Sequence, residues 1–233
     1  MLIIPVIDLM GGRVVHARRG DRSNYRPLQT VLTASSEALD VVAALLDLAA
    51  FRAIYVADLD AILGCGDHSE SIERIERTFE PLTLWLDAGF GTPADIARFE
   101  SKRAVPVIGS ESLPSLAACA DLLRAVPDAI LSLDTRAGVP LGPTALFDAP
   151  EHWPQRVIVM TLDRVGGGQG PALERLQATL ALAAGKQVIA AGGVRNAADL
   201  DTLAQMGVYA VLVASAIHDG TLDRATLGRF LKR

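Results

Sequence analysis

Short apolar runs, rich in β-branched residues, recur along the chain, and most are followed by a stretch in which apolar positions return every three or four residues. Eight such runs occur, at 2–7, 52–57, 82–86, 105–108, 129–133, 156–160, 187–190 and 209–213. Runs of this length without polar alternation mark strands buried on both faces, as in a parallel sheet. Between the first two, Leu39, Val42, Leu45, Leu46 and Leu48 predict a helix over about 36–50. Eight strand–helix units in 233 residues fit one α/β domain, a closed (β/α)8 TIM barrel over residues 1–233, better than an open sheet, since no run reads as an edge strand.

On such a barrel the residues just after each strand form the functional face. Those positions hold Asp8, Asp58 with Asp60, Asp87, Ser110 with Glu111, Asp134, Thr161 with Asp163, Gly192 with Gly193, and Ala214 with Ser215. Asp8 and Asp134 are the leading catalytic candidates, because a carboxylate ending a buried strand costs stability unless it is paired or solvated in a cleft. A structural bond to a loop N–H is the alternative for each. Asp58, Asp60 and Asp163 follow, and Thr161 supplies a hydroxyl at the rim of strand 6 or caps that strand. The Gly192-Gly193 and Ala214-Ser215 turns end neighbouring strands, and backbone N–H groups exposed there make an anion pocket without a charged side chain. Alternatively, the glycines only permit a sharp bend.

The chain repeats itself. The segment from Leu86 to Ile96 aligns with that from Ala190 to Leu200 at an offset of 104; Leu59-Asp60 aligns with Leu162-Asp163 at 103, and Gly109-Ser110 with Ala214-Ser215 at 105. Two copies at a near-constant shift indicate two half-barrels of four units, and hence two opposed anion sites. The first copy is the weaker: Asp87-Ala-Gly89-Phe-Gly91 has one glycine and a carboxylate where the second copy has Gly-Gly and Arg195.

Composition narrows the class. Half the residues are hydrophobic and the formal net charge is −5, which argues against a nucleic-acid surface. Arg13, Arg18, Arg19, Arg22 and Arg26 cluster early, but Asp21 interrupts them, as in a solvated or anion-binding loop. The two cysteines, Cys65 and Cys119, show no zinc spacing and favour a reduced, cytoplasmic setting. The opening apolar run is too short for an export signal, and no run approaches the length of a membrane span. The four histidines, His16, His68, His152 and His218, share no spacing and read as surface or loop residues. The only lysines are Lys102, Lys186 and Lys232; the first two precede strands 4 and 7, at the far end of the barrel, which disfavours Schiff-base chemistry. No metal or cofactor is expected.

Three ordered motifs carry a family resemblance. Ile4-Pro-Val-Ile-Asp-Leu-Met-Gly-Gly-Arg-Val-Val, Ser132-Leu-Asp-Thr-Arg136-Ala-Gly and Ala191-Gly-Gly-Val resemble the first-, fifth- and seventh-strand segments of the HisA/HisF family of histidine biosynthesis. The resemblance spans nearly the whole chain and is closest to the family's isomerase branch. It implies a substrate with phosphate ends and an aldose–ketose isomerisation by two carboxylates on opposite sides of the mouth, after strands 1 and 6. Asp8 matches the first. The segment for the second reads Leu162-Asp-Arg-Val-Gly-Gly-Gly-Gln, with Val165 or Gly166 where the acid belongs and Asp163 two residues upstream as a substitute. The third-strand phosphate turn becomes Ala88-Gly89-Phe-Gly, and the eighth-strand turn Ala214-Ser215. The resemblance thus implies a divergent paralogue binding a phosphorylated small molecule, of the kind associated with one-carbon cofactor biosynthesis. Asp8, Asp134, Asp163 and Thr161 are its catalytic candidates. Gly192, Gly193, Ala214, Ser215, Gly89, Asp58 and Arg136 are its binding candidates. The alternatives are the family's own histidine-pathway isomerase with a relocated acid, and a non-catalytic ligand-binding or complex subunit.

Overall fold

A computed structural model describes residues 1–99 and 103–231. Eight parallel strands form its wall: β1 (Leu2–Met10), β2 (Ala53–Asp58), β3 (Thr83–Asp87), β4 (Val105–Gly109), β5 (Ile130–Arg136), β6 (Arg156–Thr161), β7 (Gln187–Ala191) and β8 (Ala210–Val213). Each pairs with the next in sequence, and β8 pairs back with β1, from Leu2 opposite Ala210 to Pro5 opposite Val213, so the sheet is closed. The expected eight-stranded α/β barrel is present, with every predicted run on its strand.

Around it lie α1 (Ala38–Leu48), α2 (Leu59–Leu63), α3 (Ser69–Thr78), α4 (Pro93–Arg98), α5 (Leu116–Ala125), α6 (Leu173–Leu182), α7 (Ala197–Gln205), α8 (Ser215–His218) and α9 (Arg224–Leu231). The strand–helix alternation breaks once. Between β5 and β6 the chain makes two 3-10 turns, Thr144–Asp148 and Pro150–His152, where Pro143 and Pro150 deny backbone donors to a longer helix.

Strand side chains alternate between two separate cores. Ile4, Tyr55, Trp85, Val107, Ile130, Ile158, Ile189 and Leu212 fill the barrel interior. Ile3, Ile7, Ile54, Val56, Leu84, Leu131, Val157 and Val211 face outward, packed with helix residues such as Val42, Leu45, Ile75, Leu122 and Leu203. The same alternation decides which strand-end residues reach the mouth. Asp8, Ala57 and Asp87 form one lateral row across β1–β3; Asp134, Met160, Ala191 and Leu212 form another across β5–β8.

The half-barrel repeat extends to hydrogen bonds. Thr92 and Asn196 each cap their helix by accepting from the N–H three residues on, Asp95 and Asp199. Asp95 Oδ2 accepts from Gly91 N–H, and Asp199 Oδ2 from Arg195 N–H. These pairs are related by the same offset of 104. The first loop adds a flap: Arg13–His16 turns back antiparallel on β1, placing Val15 opposite Asp8. Lys186 precedes β7 and donates to the Trp153 carbonyl at 2.6 Å; Lys102 and Lys232 lie outside the described residues. Among the described residues, no helix is long and apolar enough to cross a membrane.

Candidate active site

A cavity of about 350 Å3 opens at the C-terminal ends of the strands, lined by residues of all eight βα units. It exists because small residues occupy inward positions: Ala57 on β2, Gly109 at the end of β4 and Ala191 on β7. A Cβ on Gly109 would lie 3.1 Å from Asp134 Oδ2 and 3.7 Å from Asp87 Oδ2, so the missing side chain lets both carboxyl groups lean over β4.

Asp8, Asp87 and Asp134 form the acidic side of this cavity, with Glu111 beside them. Asp134 is buried. It accepts from the Ser132 hydroxyl at 2.6 Å and from Glu111 N–H at 3.3 Å, while its own N–H donates to Ser110 Oγ at 2.9 Å. Asp87 accepts from the Tyr55 hydroxyl at 3.0 Å and from Gly89 N–H at 3.1 Å. Burial pushes the Asp134 carboxyl up to about 7, against the Ser132 hydrogen bond and with the aid of Asp87 and Glu111. Burial likewise raises Asp8 to about 7, opposed by Arg22 and reinforced by Asp87, and raises Asp87 to about 6 against its two hydrogen bonds. Asp8 keeps some solvent contact through the open mouth, so its desolvation is incomplete. Tyr55 sits among all three carboxyls, and burial followed by Asp87 and Asp134 holds its hydroxyl proton on well above the ordinary phenol range.

The opposite side is made of glycine turns. Gly192 and Gly193 have φ of 97° and 88°, backbone that favours glycine. Gly193 has a further reason: a Cβ there would lie 2.3 Å from the Gly170 carbonyl oxygen. The loop 166–170 is therefore seated on the β7 turn. It is held by Arg164 Nη1 donating to the Gly170 carbonyl at 3.0 Å, and by Arg19 N–H donating to the Val165 carbonyl at 2.8 Å. Ser215 Oγ lies 3.2 Å from His16 Nε2, brought over by the first-loop flap. Among the described residues, nothing accepts from the N–H groups of Gly193, Val194, Ser215 or Ala216.

The model for the family described as histidine biosynthesis protein matches residues 2–223. The chain belongs to this family. An uncharacterized protein of Methanocaldococcus jannaschii is 31% identical over 96% of each chain. The 1-(5-phosphoribosyl)-5-((5-phosphoribosylamino)methylideneamino)imidazole-4-carboxamide isomerase of Halorhodospira halophila is 28% identical over 97% of this chain and 95% of its own. The isomerase of the same description from Rubrobacter xylanophilus is 31% identical over 99% and 95%.

In this member of the histidine biosynthesis family, the cavity gathers Asp8, Asp134, Gly192, Gly193, Ala214 and Ser215. Five other expected residues sit elsewhere. Thr161 follows inward Met160 and so faces the outer wall; it lines a separate groove of about 670 Å3 between β5, β6 and α6, not the mouth. Asp163 lines that groove too and accepts from Ala137 N–H at 2.9 Å, tying down the β5 loop. Asp58, fully buried, also faces outward: its carboxylate accepts from the N–H groups of Ala61 and His68 and bonds His68 Nδ1 at 2.8 Å. Gly89 lies on the rim with its N–H already bonded to Asp87. Arg136, exposed, lies near Gly20 of the first loop, where an added Cβ would be 3.2 Å from its Nη2. Val165 and Gly166 do line the mouth, so an apolar side chain stands at its β6 edge.

Two histidines also correct the surface reading. His68 is buried between Asp58 and Gly12 N–H, which donates to its Nε2 at 3.0 Å, and His218 is buried near Thr30. Three cavity residues, Asp87, Tyr55 and Arg22, and His16 against Ser215 had no assigned role. Asp87 was legible as a strand end and shares the inward phase of Trp85. Tyr55 was legible as the one hydroxyl in an apolar strand. Arg22, which pairs with Glu111 at 2.8 Å, was visible only as part of an arginine cluster, and nothing local marked His16. Among the described residues, no group of three or more His, Cys, Asp or Glu is placed to hold a metal ion.

Proposed function

We propose that this protein binds a phosphorylated small molecule, with its phosphate at the β7 and β8 turns, and catalyses an isomerase-type proton transfer with Asp8 as base and Asp134 as the protonated partner. One observation carries the reading. Asp8 and Asp134 come from β1 and β5, four strands apart in an eight-stranded barrel, and both face one cavity with carboxyls raised to about 7. Aldose–ketose isomerisation needs one group to protonate the ring oxygen and another to take the proton from the adjacent carbon, and carboxyls titrating near neutrality serve both steps. The free N–H groups of Gly193, Val194, Ser215 and Ala216 suit the phosphate, with Ser215 adding a hydroxyl.

The test is turnover of the relatives' imidazole carboxamide substrate and of phosphorylated metabolites from cell extracts, followed as product of unchanged mass. Asp8→Asn is expected to lose on the order of 10²–10⁴-fold in kcat while still binding ligand. Unchanged turnover would remove Asp8 from the mechanism, and ligand binding without turnover by the native chain would favour a non-catalytic subunit. A second reading, the histidine-pathway isomerase itself, gains from Asp134, which supplies the second carboxyl from β5 instead of β6. Growth of a strain lacking that isomerase on expression of this chain would establish it. One-carbon cofactor biosynthesis, implied by the resemblance, instead predicts a fall in such cofactors when the gene is deleted.

A further inference from the structure

The half-barrel repeat allows the two anion-binding turns to be compared donor by donor. At offsets of 104 and 105, Gly89 corresponds to Gly193 and Glu111 to Ala216. In the second half, neither Gly193 N–H nor Ala216 N–H has an acceptor among the described residues. In the first half, both equivalents are taken by carboxylates of the chain itself: Gly89 N–H donates to Asp87 Oδ1 at 3.1 Å, and Glu111 N–H to Asp134 Oδ2 at 3.3 Å. At Gly89 the difference traces to one substitution between the copies, since the residue corresponding to Asp87 is Ala191, which has nothing to place in the turn, while Glu111 N–H is taken by Asp134, which reaches over from β5.

Charge agrees with this geometry. A phosphate brought to the β3–β4 turns would meet Asp87, Asp134 and Glu111, and the neighbouring guanidinium of Arg22 is already paired with Glu111 at 2.8 Å. The position corresponding to Arg195 is Gly91, so the copy supplies no cation of its own. Like charges at such separations in a partly desolvated cavity repel strongly.

We infer that the first-half phosphate turn is plugged from within by Asp87 and Asp134, so that the cavity accepts a substrate with a single phosphate, seated at the β7–β8 turns, whose other end carries hydrogen-bond donors and no second phosphate. This rests on the reading that the β7–β8 turns hold a phosphate, and the experiment separates the two. Crystals of the native chain and of Asp87→Ala, which restores the residue type of the second copy, are grown in saturating inorganic phosphate, and binding stoichiometry is measured in solution by calorimetry.

One phosphate is expected in the native chain, at Gly193 and Ser215, and two in Asp87→Ala, the second at Gly89 and Ser110. Phosphate at both turns of the native chain would overturn the plug while leaving the phosphate reading intact. Phosphate at neither would overturn both, and a single phosphate in both proteins would overturn the role of Asp87. Should Asp87→Ala not fold, Asp87→Val likewise leaves Gly89 N–H without a side-chain acceptor, and gain of a second phosphate is expected there as well. As a ligand-level check, the native chain is expected to bind fructose 1,6-bisphosphate no more tightly than fructose 6-phosphate; a tenfold preference for the bisphosphate would overturn the inference.

Discussion

A carboxyl group at the rim of a buried barrel ionises less readily than one in water, and three share one cavity here. Because Asp8 and Asp134 are both raised to about 7, their titrations belong to the cluster as a whole. The form that works as an acid–base pair, one carboxylate and one carboxylic acid, is most populated near neutrality. The pH–rate profile is therefore expected to be bell-shaped with its maximum near pH 7, and a flat profile from pH 5 to 9 would exclude carboxyl acid–base catalysis. Tyr55→Phe removes a donor to Asp87 and is expected to raise the Asp87 carboxyl further, readable by carboxyl titration in NMR.

At the scale of elements, the turns and caps separate two uses of the same backbone. Gly193 and Gly168 both have positive φ, but an added Cβ meets the Gly170 carbonyl at 2.3 Å in the first case and open space in the second. Gly193→Ala is expected to cost roughly 2–4 kcal/mol and to lift the loop 166–170 off the β7 turn, against about 1–2 kcal/mol for Gly168→Ala. Urea unfolding and proteolysis of that loop would measure both. Thr92→Ala and Asn196→Ala, at corresponding caps, are each expected to cost about 1 kcal/mol in urea unfolding. Periodicity showed that these strands exist, but misplaced Thr161 and Asp163. A run buried on both faces gives no alternation from which to read the inward phase, and inward Met160 puts Thr161 outside.

For the whole molecule, burying carboxyls links stability to pH. A group whose folded pKa is raised from 3.8 to about 7 binds more protons in the folded state between those values. Its contribution is full below about pH 4 and is lost as pH rises toward 7. Asp8→Asn removes that liability, so the inactive variant is expected to be more stable than the native chain by roughly 1–3 kcal/mol at pH 8, a figure reduced for the partial solvation of Asp8, with the gain vanishing near pH 4. Urea unfolding of both proteins at the two pH values checks it; equal stability at pH 8 would mean that Asp8 is not strained by ionisation.

The sequence by itself determined the barrel, its duplication, the strand-end carboxylates Asp8 and Asp134 and the glycine turns at Gly192 and Gly193. Each of these is local: a run length, a repeat offset, a residue type that only one backbone conformation admits. Tertiary structure alone decided which strand ends face the cavity, that Asp58 and Asp163 serve loops outside it, and that His16 and Arg22 arrive from a flap folded over the mouth. It also decided that Asp87, and Asp134 reaching over from β5, occupy N–H groups of the first half-barrel's turns. Those outcomes depend on the phase of each strand against two cores and on contacts between residues far apart in the chain, which side-chain packing sets and local pattern does not.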